Sequence, residues 1–418
     1  MKNNSLFEKA ISYHKKYNGK IEVLPKVSVK TREELSLAYT PGVAIPCLEI
    51  AKNNALLYDY TVKANSVFVV SDGSAVLGLG NIGHKASLPV MEGKALLFKV
   101  FGGIDAYPII IASQNEDEIV STVFQIADSV GGINLEDISA PRCFNIEEKL
   151  SNILDIPVFH DDQHGTSIVT LAGLINSLKL AGKEIDKIKI VINGSGAAGV
   201  AIARLLLKYG AKYLVVCDRK GAIYEGREED MNDKKIELAK LTNPFRERGS
   251  LGEVIKDADV FIGVSVKGAL SGEMVRKMAD KPIVFAMANP DPEILPAEAY
   301  EAGAYIVATG RSDYPNQINN CLGFPGIFRG LLDVRAKKVT DDIKISAALS
   351  IANVISEDRI FKKREIIPSV YELKLHASVS EAVAMKAVET GIARVKVQKG
   401  EVFERCLKLL KRNKKRFF

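Results

Sequence analysis

Strand-like apolar runs alternate with amphipathic segments along most of the chain, and this alternation constrains the fold more than any other feature. The runs are VFVV (67–70), YPIIIA (107–112), KIKIVIN (187–193), YLVVC (213–217), DVFIGVS (259–265), PIVFAMAN (282–289) and AYIVATG (304–310). Helical patterns such as 115–130 and 197–210 separate them. The alternation predicts an α/β class, with helices covering a mostly parallel sheet. At roughly 150 residues per domain, 418 residues predict two or three domains. We place one boundary near residue 163, between an N-terminal α/β unit (1–162) and a more regular one (163–390) that opens on a long helix over 164–182. From about 340 helical patterns take over, and 391–418 reads as a C-terminal helix with a basic tail. No repeat or low-complexity linker intervenes, so the domains should pack tightly around a cleft.

G-x-G-x-x-G occurs twice, as GLGNIG (78–83) and GSGAAG (194–199). Only the second has the context of a dinucleotide fingerprint: it follows the strand 187–193, opens an apolar helix, and precedes a strand ending at Asp218. Gly194 permits a tight turn, Gly196 lets backbone approach a pyrophosphate, and Gly199 allows close helix–strand packing. Ser195, Ala197 and Ala198 complete the loop at the helix N-terminus, which favours phosphate charge. Asp218 can accept from a ribose 2′-OH, which favours NAD over NADP. Arg219 and Lys220 follow directly and offer a 2′-phosphate the opposite charge. GLGNIG lacks a closing acid, Asp105 lies before its strand, and Pro89 interrupts the segment that follows. It reads as a backbone turn close to a ligand.

Two pairs of adjacent acids follow apolar runs: Glu136-Asp137 in GGINLED and Asp161-Asp162 in IPVFHDDQHG. Ligands bind at strand ends in α/β sheets. Carboxylates converging there repel one another unless a cation sits among them, and oxygen-only ligation favours Mg²⁺ or Mn²⁺. Each pair must then lie just past its strand. His160 and His164 have the spacing of a helical zinc pair, but the run 157–159 reads as a strand, so both are read as structural. Lys94, in the largely apolar LPVMEGKALLFKVFG, is either snorkelling or has a lowered pKa suited to proton abstraction. Tyr39, in YTPGVA, lies where Pro41 and Gly42 would turn its phenol toward a cleft.

Composition excludes several classes. Hydrophobic residues make up 47% and charged residues 26%, which is globular rather than disordered or collagen-like. No stretch approaches the ~18 consecutive apolar residues of a membrane span. The start, MKNNSLFEKA, lacks the apolar core of a secretory signal. Five scattered cysteines without CxxC spacing fit a reducing cytoplasm. The net charge of +6 owes five positive charges to KRNKKRFF (411–418), which reads as a solvated tail rather than a nucleic-acid surface.

Taken together, the motifs resemble the malic enzyme family in its compact prokaryotic form, from about residue 15 to 390. The resemblance rests on YTPGVA (39–44), SDGSAVLGLGNIG (71–83), LPVMEGK (88–94), Glu136-Asp137, FHDDQHGT (159–166), INGSGAAG (192–199), ANP (288–290) and NNCLGFPG (319–326). It implies an N-terminal substrate and metal domain before a Rossmann-like doubly wound NAD(P) domain. It implies oxidative decarboxylation of L-malate to pyruvate and CO₂ with reduction of NAD(P)⁺, dependent on a divalent metal, by a homodimer or larger homo-oligomer; cysteine usage, charge and hydropathy place that assembly in the cytoplasm without nucleic-acid or membrane partners. By the same resemblance Lys94 is the base, Asp161 the acid beside it and Tyr39 the acid that protonates C3. Glu136, Asp137 and Asp162 are metal ligands, while Asn289 and Asn320 lie near substrate and cofactor. One position departs: larger members have an arginine for a substrate carboxylate where this chain has Ala75, leaving backbone amides of the GLGNIG turn as a candidate partner. A malolactic or oxaloacetate-decarboxylating activity would use the same metal and base. An amino-acid dehydrogenase would leave the four acids unexplained, and a nucleotide-sensing or nucleic-acid-binding protein would leave Lys94 unexplained as well.

Overall fold

The computed structural model describes residues 2–417. All seven apolar runs form strands, and short additional ones complete two sheets. The first sheet contains β1 (Ser66–Ser71), β2 (Asp105–Ile110), β3 (Gly132–Leu135) and β4 (Val158–His160), all parallel, in the order β2-β1-β3-β4. The second contains β5 (Lys189–Asn193), β6 (Tyr213–Asp218), β7 (Gly221–Ala222), β8 (Val260–Gly263), β9 (Ile283–Ala286) and β10 (Ile306–Thr309). Its order is β10-β9-β8-β5-β6-β7, parallel except for the two-residue β7. The predicted α/β class and Rossmann-like second unit are the observed fold.

Burial explains the unbroken apolar runs. Strands covered on both faces need apolar side chains at successive positions, and Val67, Val69, Val70, Ile190, Val191 and Ile192 are all fully buried. Ile190 and Ile192 join a core that also holds Val67 and Ile133 of the first sheet, while Val191 faces a smaller core with Val215 and Val284. The Asp161–Ala181 helix links the two halves, and its Ile168, Val169, Leu171, Ala172 and Leu174 belong to the shared core. The expected tight packing of the two units therefore has a common hydrophobic interior behind it. Among the described residues no helix is long and apolar enough to cross a membrane.

Two local features differ from expectation. The His84–Leu97 helix continues through Pro89, which stands near its N-terminal end and costs it one backbone hydrogen bond. The basic segment near the C-terminus is the last part of the Glu401–Phe417 helix and not a free tail. Val402, Cys406, Leu410 and Asn413 form its buried stripe, and Asn413 Nδ2 donates to the Lys99 carbonyl at 2.8 Å. At the other end, no residue from 7 to 62 is buried, and Phe7, Val23, Leu37, Tyr39 and Ile45 are largely exposed.

His376, on the Leu373–Glu389 helix, is fully buried, stacks on Phe101 at 4.9 Å between centroids and donates from Nε2 to the Val370 carbonyl at 2.8 Å. Burial pushes its pKa from 6.5 down to about 4. The unfolded chain therefore binds the extra proton between those values, and stability falls as pH drops from about 6.5 to 4, by at most roughly 3 kcal/mol. Thermal melts at pH 7 and pH 5 should show this slope, and His376→Gln should flatten it.

Candidate active site

The sheet topology delivers the chemistry-bearing side chains to one place. Glu136 and Asp137 directly follow β3, Asp161 and Asp162 open the helix directly after β4, and Lys94 comes from the helix after β1. Both acid pairs thus lie just past their strands, as a shared site requires. Ser87, Met91, Lys94 and Ala95 form the buried face of the His84–Leu97 helix. The Lys94 ammonium reaches Asp161 Oδ2 at 2.5 Å and Glu136 Oε1 at 2.9 Å, and lies 4.2 Å from the centroid of the Phe324 ring. Burial works against the ammonium, but the two carboxylates outweigh it and hold the Lys94 pKa above its ordinary value. This corrects the expectation of a lowered pKa: alone in an apolar segment the amine would lose its proton, but its partners come from elements far along the chain.

Asn320 closes the other side, donating from Nδ2 to Asp161 Oδ2 at 2.8 Å and accepting from Thr166 Oγ1 at 3.1 Å. Asn134, buried on β3, donates to Glu136 Oε2 at 2.9 Å. The start of the Asp161–Ala181 helix is braced by Glu147, which accepts from the His160 amide, Gln163 Nε2 and His164 Nε2. The two histidines thus part ways: His164 goes to Glu147, while the His160 ring lies 3.9 Å from Asp162.

Glu136, Asp137 and Asp162 each place one carboxylate oxygen so that the three lie within 4.8 Å of one another. The Asp137 amide donates to Asp162 Oδ2 at 2.9 Å, while Asp137 Oδ2 is buried without a hydrogen-bond partner. Burial, then repulsion from its neighbours, pushes Asp137 up to about 7, and the same causes raise Glu136 and Asp162. Asp137 also adopts φ +54°, a left-handed conformation uncommon for a non-glycine residue. An orphaned oxygen and mutually repelling buried acids form a donor set that suits a hard divalent cation.

The second glycine loop is built as expected. Gly194 has φ +128°, a Cβ on Gly199 would fall 1.8 Å from the Gly194 carbonyl oxygen, and a Cβ on Gly196 would meet nothing within 4 Å. The helix Ala197–Tyr209 starts there with open amide groups. Ser195, Ala197 and Ala198 remain partly exposed around that opening. Asp218 ends β6, but its carboxylate is already engaged: it accepts from the Lys220 amide, from Arg227 at both oxygens and from Lys235, all at 2.8 to 2.9 Å. GLGNIG is a turn joining β1 to the next helix, closed by Val76 N to Gly80 O and Gly83 N to Gly73 O. A Cβ on Gly78 would fall 2.1 Å from the Asn289 carbonyl oxygen, so this turn lies against the loop after β9. Ala75 contributes its amide to the Asp137 carbonyl at 3.0 Å.

Comparison with known proteins decides the family. Residues 18–117 match the malic enzyme N-terminal domain and residues 163–392 the malic enzyme NAD-binding domain. The chain belongs to the malic enzyme family. It is 57% identical over 405 residues to a bifunctional malic/malolactic enzyme of Bacillus subtilis, covering 97% of this chain and 98% of that one. An NAD-dependent malic enzyme of Geobacillus stearothermophilus is 54% identical over 90% of this chain and 78% of its own length. An NADP-dependent malic enzyme of Rhizobium meliloti is 48% identical, and the chain spans about half (53%) of it. The crystal structure of a malic enzyme from Pyrococcus horikoshii superposes with TM-score 0.91, at 48% identity over 98% of this chain and 99% of that one. The malic enzyme resemblance is thus established, and with it an NAD(P)-dependent oxidoreductase.

The structure brings Lys94, Glu136, Asp137, Asp161, Asp162 and Asn320 together. Asn289 is exposed beside Gly310 and Gly78. Tyr39 is not brought in: it caps the Arg32–Ala38 helix, 68% exposed, with no side-chain hydrogen bond among the described residues. Sequence reading also missed Asn134, Glu147 and Glu293. The last is fully buried and accepts from the Ser265 and Ala288 amides at 2.8 and 3.0 Å, tying together the loops after β8 and β9. Replacing Gly199 by alanine should force the phosphate loop open and weaken NAD(P)⁺ binding by roughly tenfold or more. Calorimetric titration, with circular dichroism as the folding check, measures this.

Proposed function

We propose that this malic enzyme family member oxidises L-malate with NAD⁺ or NADP⁺ and decarboxylates the product to pyruvate and CO₂. The observation that carries the reading is a buried Lys94 ammonium held by Asp161 and Glu136 beside the Glu136, Asp137 and Asp162 oxygens. Lys94 passes its proton to Asp161, 2.5 Å away, and then takes the proton of the 2-hydroxyl as the C2 hydride leaves for the nicotinamide. Asn320 positions Asp161, and Asn289 faces substrate and cofactor from the loop after β9. The phosphate loop 194–199 holds the pyrophosphate. Glu136, Asp137 and Asp162 would hold Mg²⁺ or Mn²⁺, which when bound supplies the Lewis acid for loss of CO₂. Tyr39 then gives a proton to C3. We assign the catalytic unit to 1–162, the dinucleotide unit to 163–390 and the closing helix to 391–418. Five free cysteines suit the cytoplasm.

Tyr39 can act only on a site brought to it, and its surroundings indicate how. The segment 7–62 leaves many apolar side chains exposed, more than a monomer's surface usually carries in one stretch. We assign this face to a homodimer contact that carries Tyr39 toward the partner's Lys94. A second reading, malolactic activity, is favoured by the name of the Bacillus subtilis relative and shares every residue above.

With L-malate and Mn²⁺, absorbance at 340 nm should rise with pyruvate release, stop with EDTA, and fall roughly 10²- to 10⁴-fold in Lys94→Ala. Lactate without net absorbance change would select the malolactic reading instead. Mixing inactive Tyr39→Phe and Lys94→Ala proteins, with exchange of subunits, should restore about a quarter of wild-type activity if the site is shared across a two-fold dimer. Activity no greater than either variant alone would refute the shared site.

A further inference from the structure

We infer that Asp72, Ser74 and Arg142 are positioning residues for the metal site: they tie the loop after β1 to the loop after β3 and thereby fix the Asp137 carboxylate. The inference rests on the metal reading above and adds three side chains outside the Glu136, Asp137 and Asp162 set.

Asp72 directly follows β1, and its side chain is fully buried, so its charge needs partners. Oδ1 accepts from the Ser74 amide at 2.9 Å and the Ser74 hydroxyl at 2.5 Å, while Oδ2 accepts from Arg142 Nη2 at 2.9 Å. Ser74 Oγ in turn accepts from the Ser139 amide at 2.9 Å, and the Ala75 amide donates to the Asp137 carbonyl at 3.0 Å. Residues 72–75 are thus stitched to residues 137–142 at three points.

Those stitches fall around Asp137. Its φ of +54° is one that a non-glycine residue keeps only where its surroundings impose it. Just before it, the Glu136 amide donates to the Val70 carbonyl at 2.8 Å and so extends the pairing of β3 with β1. Just after it, Ser139 and Arg142 are held by Ser74 and Asp72. With both flanks fixed, the chain turns at Asp137 and brings its carboxylate to those of Glu136 and Asp162. Arg142 Nε is buried without a hydrogen-bond partner, so the guanidinium is anchored through its contact with Asp72. Removing the arginine leaves Asp72 as a lone buried charge, and admitting water to it means parting the two loops that hold Asp137. Metal ligands are oriented by outer partners of this kind.

Binding of Mn²⁺ to the full chain, read from the paramagnetic resonance signal of the free ion without malate or dinucleotide, tests this apart from turnover. Arg142→Ala and Ser74→Ala should each weaken Mn²⁺ binding by about tenfold to a hundredfold, the usual cost of losing an outer partner. Arg142→Lys, which still offers Asp72 one charged donor, should recover most of the loss. Circular dichroism and NAD(P)⁺ binding at the wild-type level confirm the fold, and Ser74→Ala removes only a hydroxyl, so it carries the test if the arginine variants do not fold. Mn²⁺ affinity within about twofold of wild type in the folded variants overturns the inference while leaving the metal site standing. So does a raised KM for malate with Mn²⁺ affinity intact, which would make Arg142 a substrate ligand. If the wild-type chain binds no Mn²⁺, the metal reading fails and the inference with it.

Discussion

The contact between Lys94 and the carboxylates of Asp161 and Glu136 is the point on which the rest of the site depends. Three charges removed from water are stable only while paired, and deleting one partner leaves the others uncompensated. Each belongs to a different element, so the helix after β1 and the ends of β3 and β4 are locked into one arrangement. Even the glycine of FHDDQHGT is spoken for: a Cβ at Gly165 would fall 2.0 Å from Asp161 Oδ1. Four carboxylates share the one ammonium of Lys94, so negative charge remains in surplus, and this surplus suits a cation.

The second half of the molecule meets the first through backbone and packing as well as through ion pairs such as Arg335 with Asp59. The turn that follows β1 lies against the Asn289 carbonyl, and the helix after β4 shares its core with both sheets. Substrate-side and cofactor-side loops are therefore held by the same packing, which hydride transfer needs, since reacting carbons must be set a few ångströms apart.

Much of this was legible in the residues. The GSGAAG loop followed from local stereochemistry, and the paired acids followed from simple repulsion at strand ends. What escaped depends on partners distant in sequence or on faces that only folding creates. Lys94 reads as a snorkelling or a deprotonated amine until Asp161, 67 positions on, is beside it. Asp218 reads as a free acceptor until Arg227 and Lys235, 9 and 17 residues later, fold back over it. Tyr39 reads as lining a cleft because a turn can aim a phenol but does not say whose cleft. Asn413 lies inside a run of positive charge, and only the helical stripe it shares with Leu410 shows that it is buried.

The Asp161–Ala181 helix carries Asp161 and Asp162 on its first turn and core residues over much of the rest of its 21 residues, a rod about 30 Å long. Such a rod has an angular register. Losing or gaining one residue anywhere along it would turn one end against the other by about 100°, swinging either the acids out of the site or the apolar face out of the core. The length of this segment is therefore fixed by both of its ends at once.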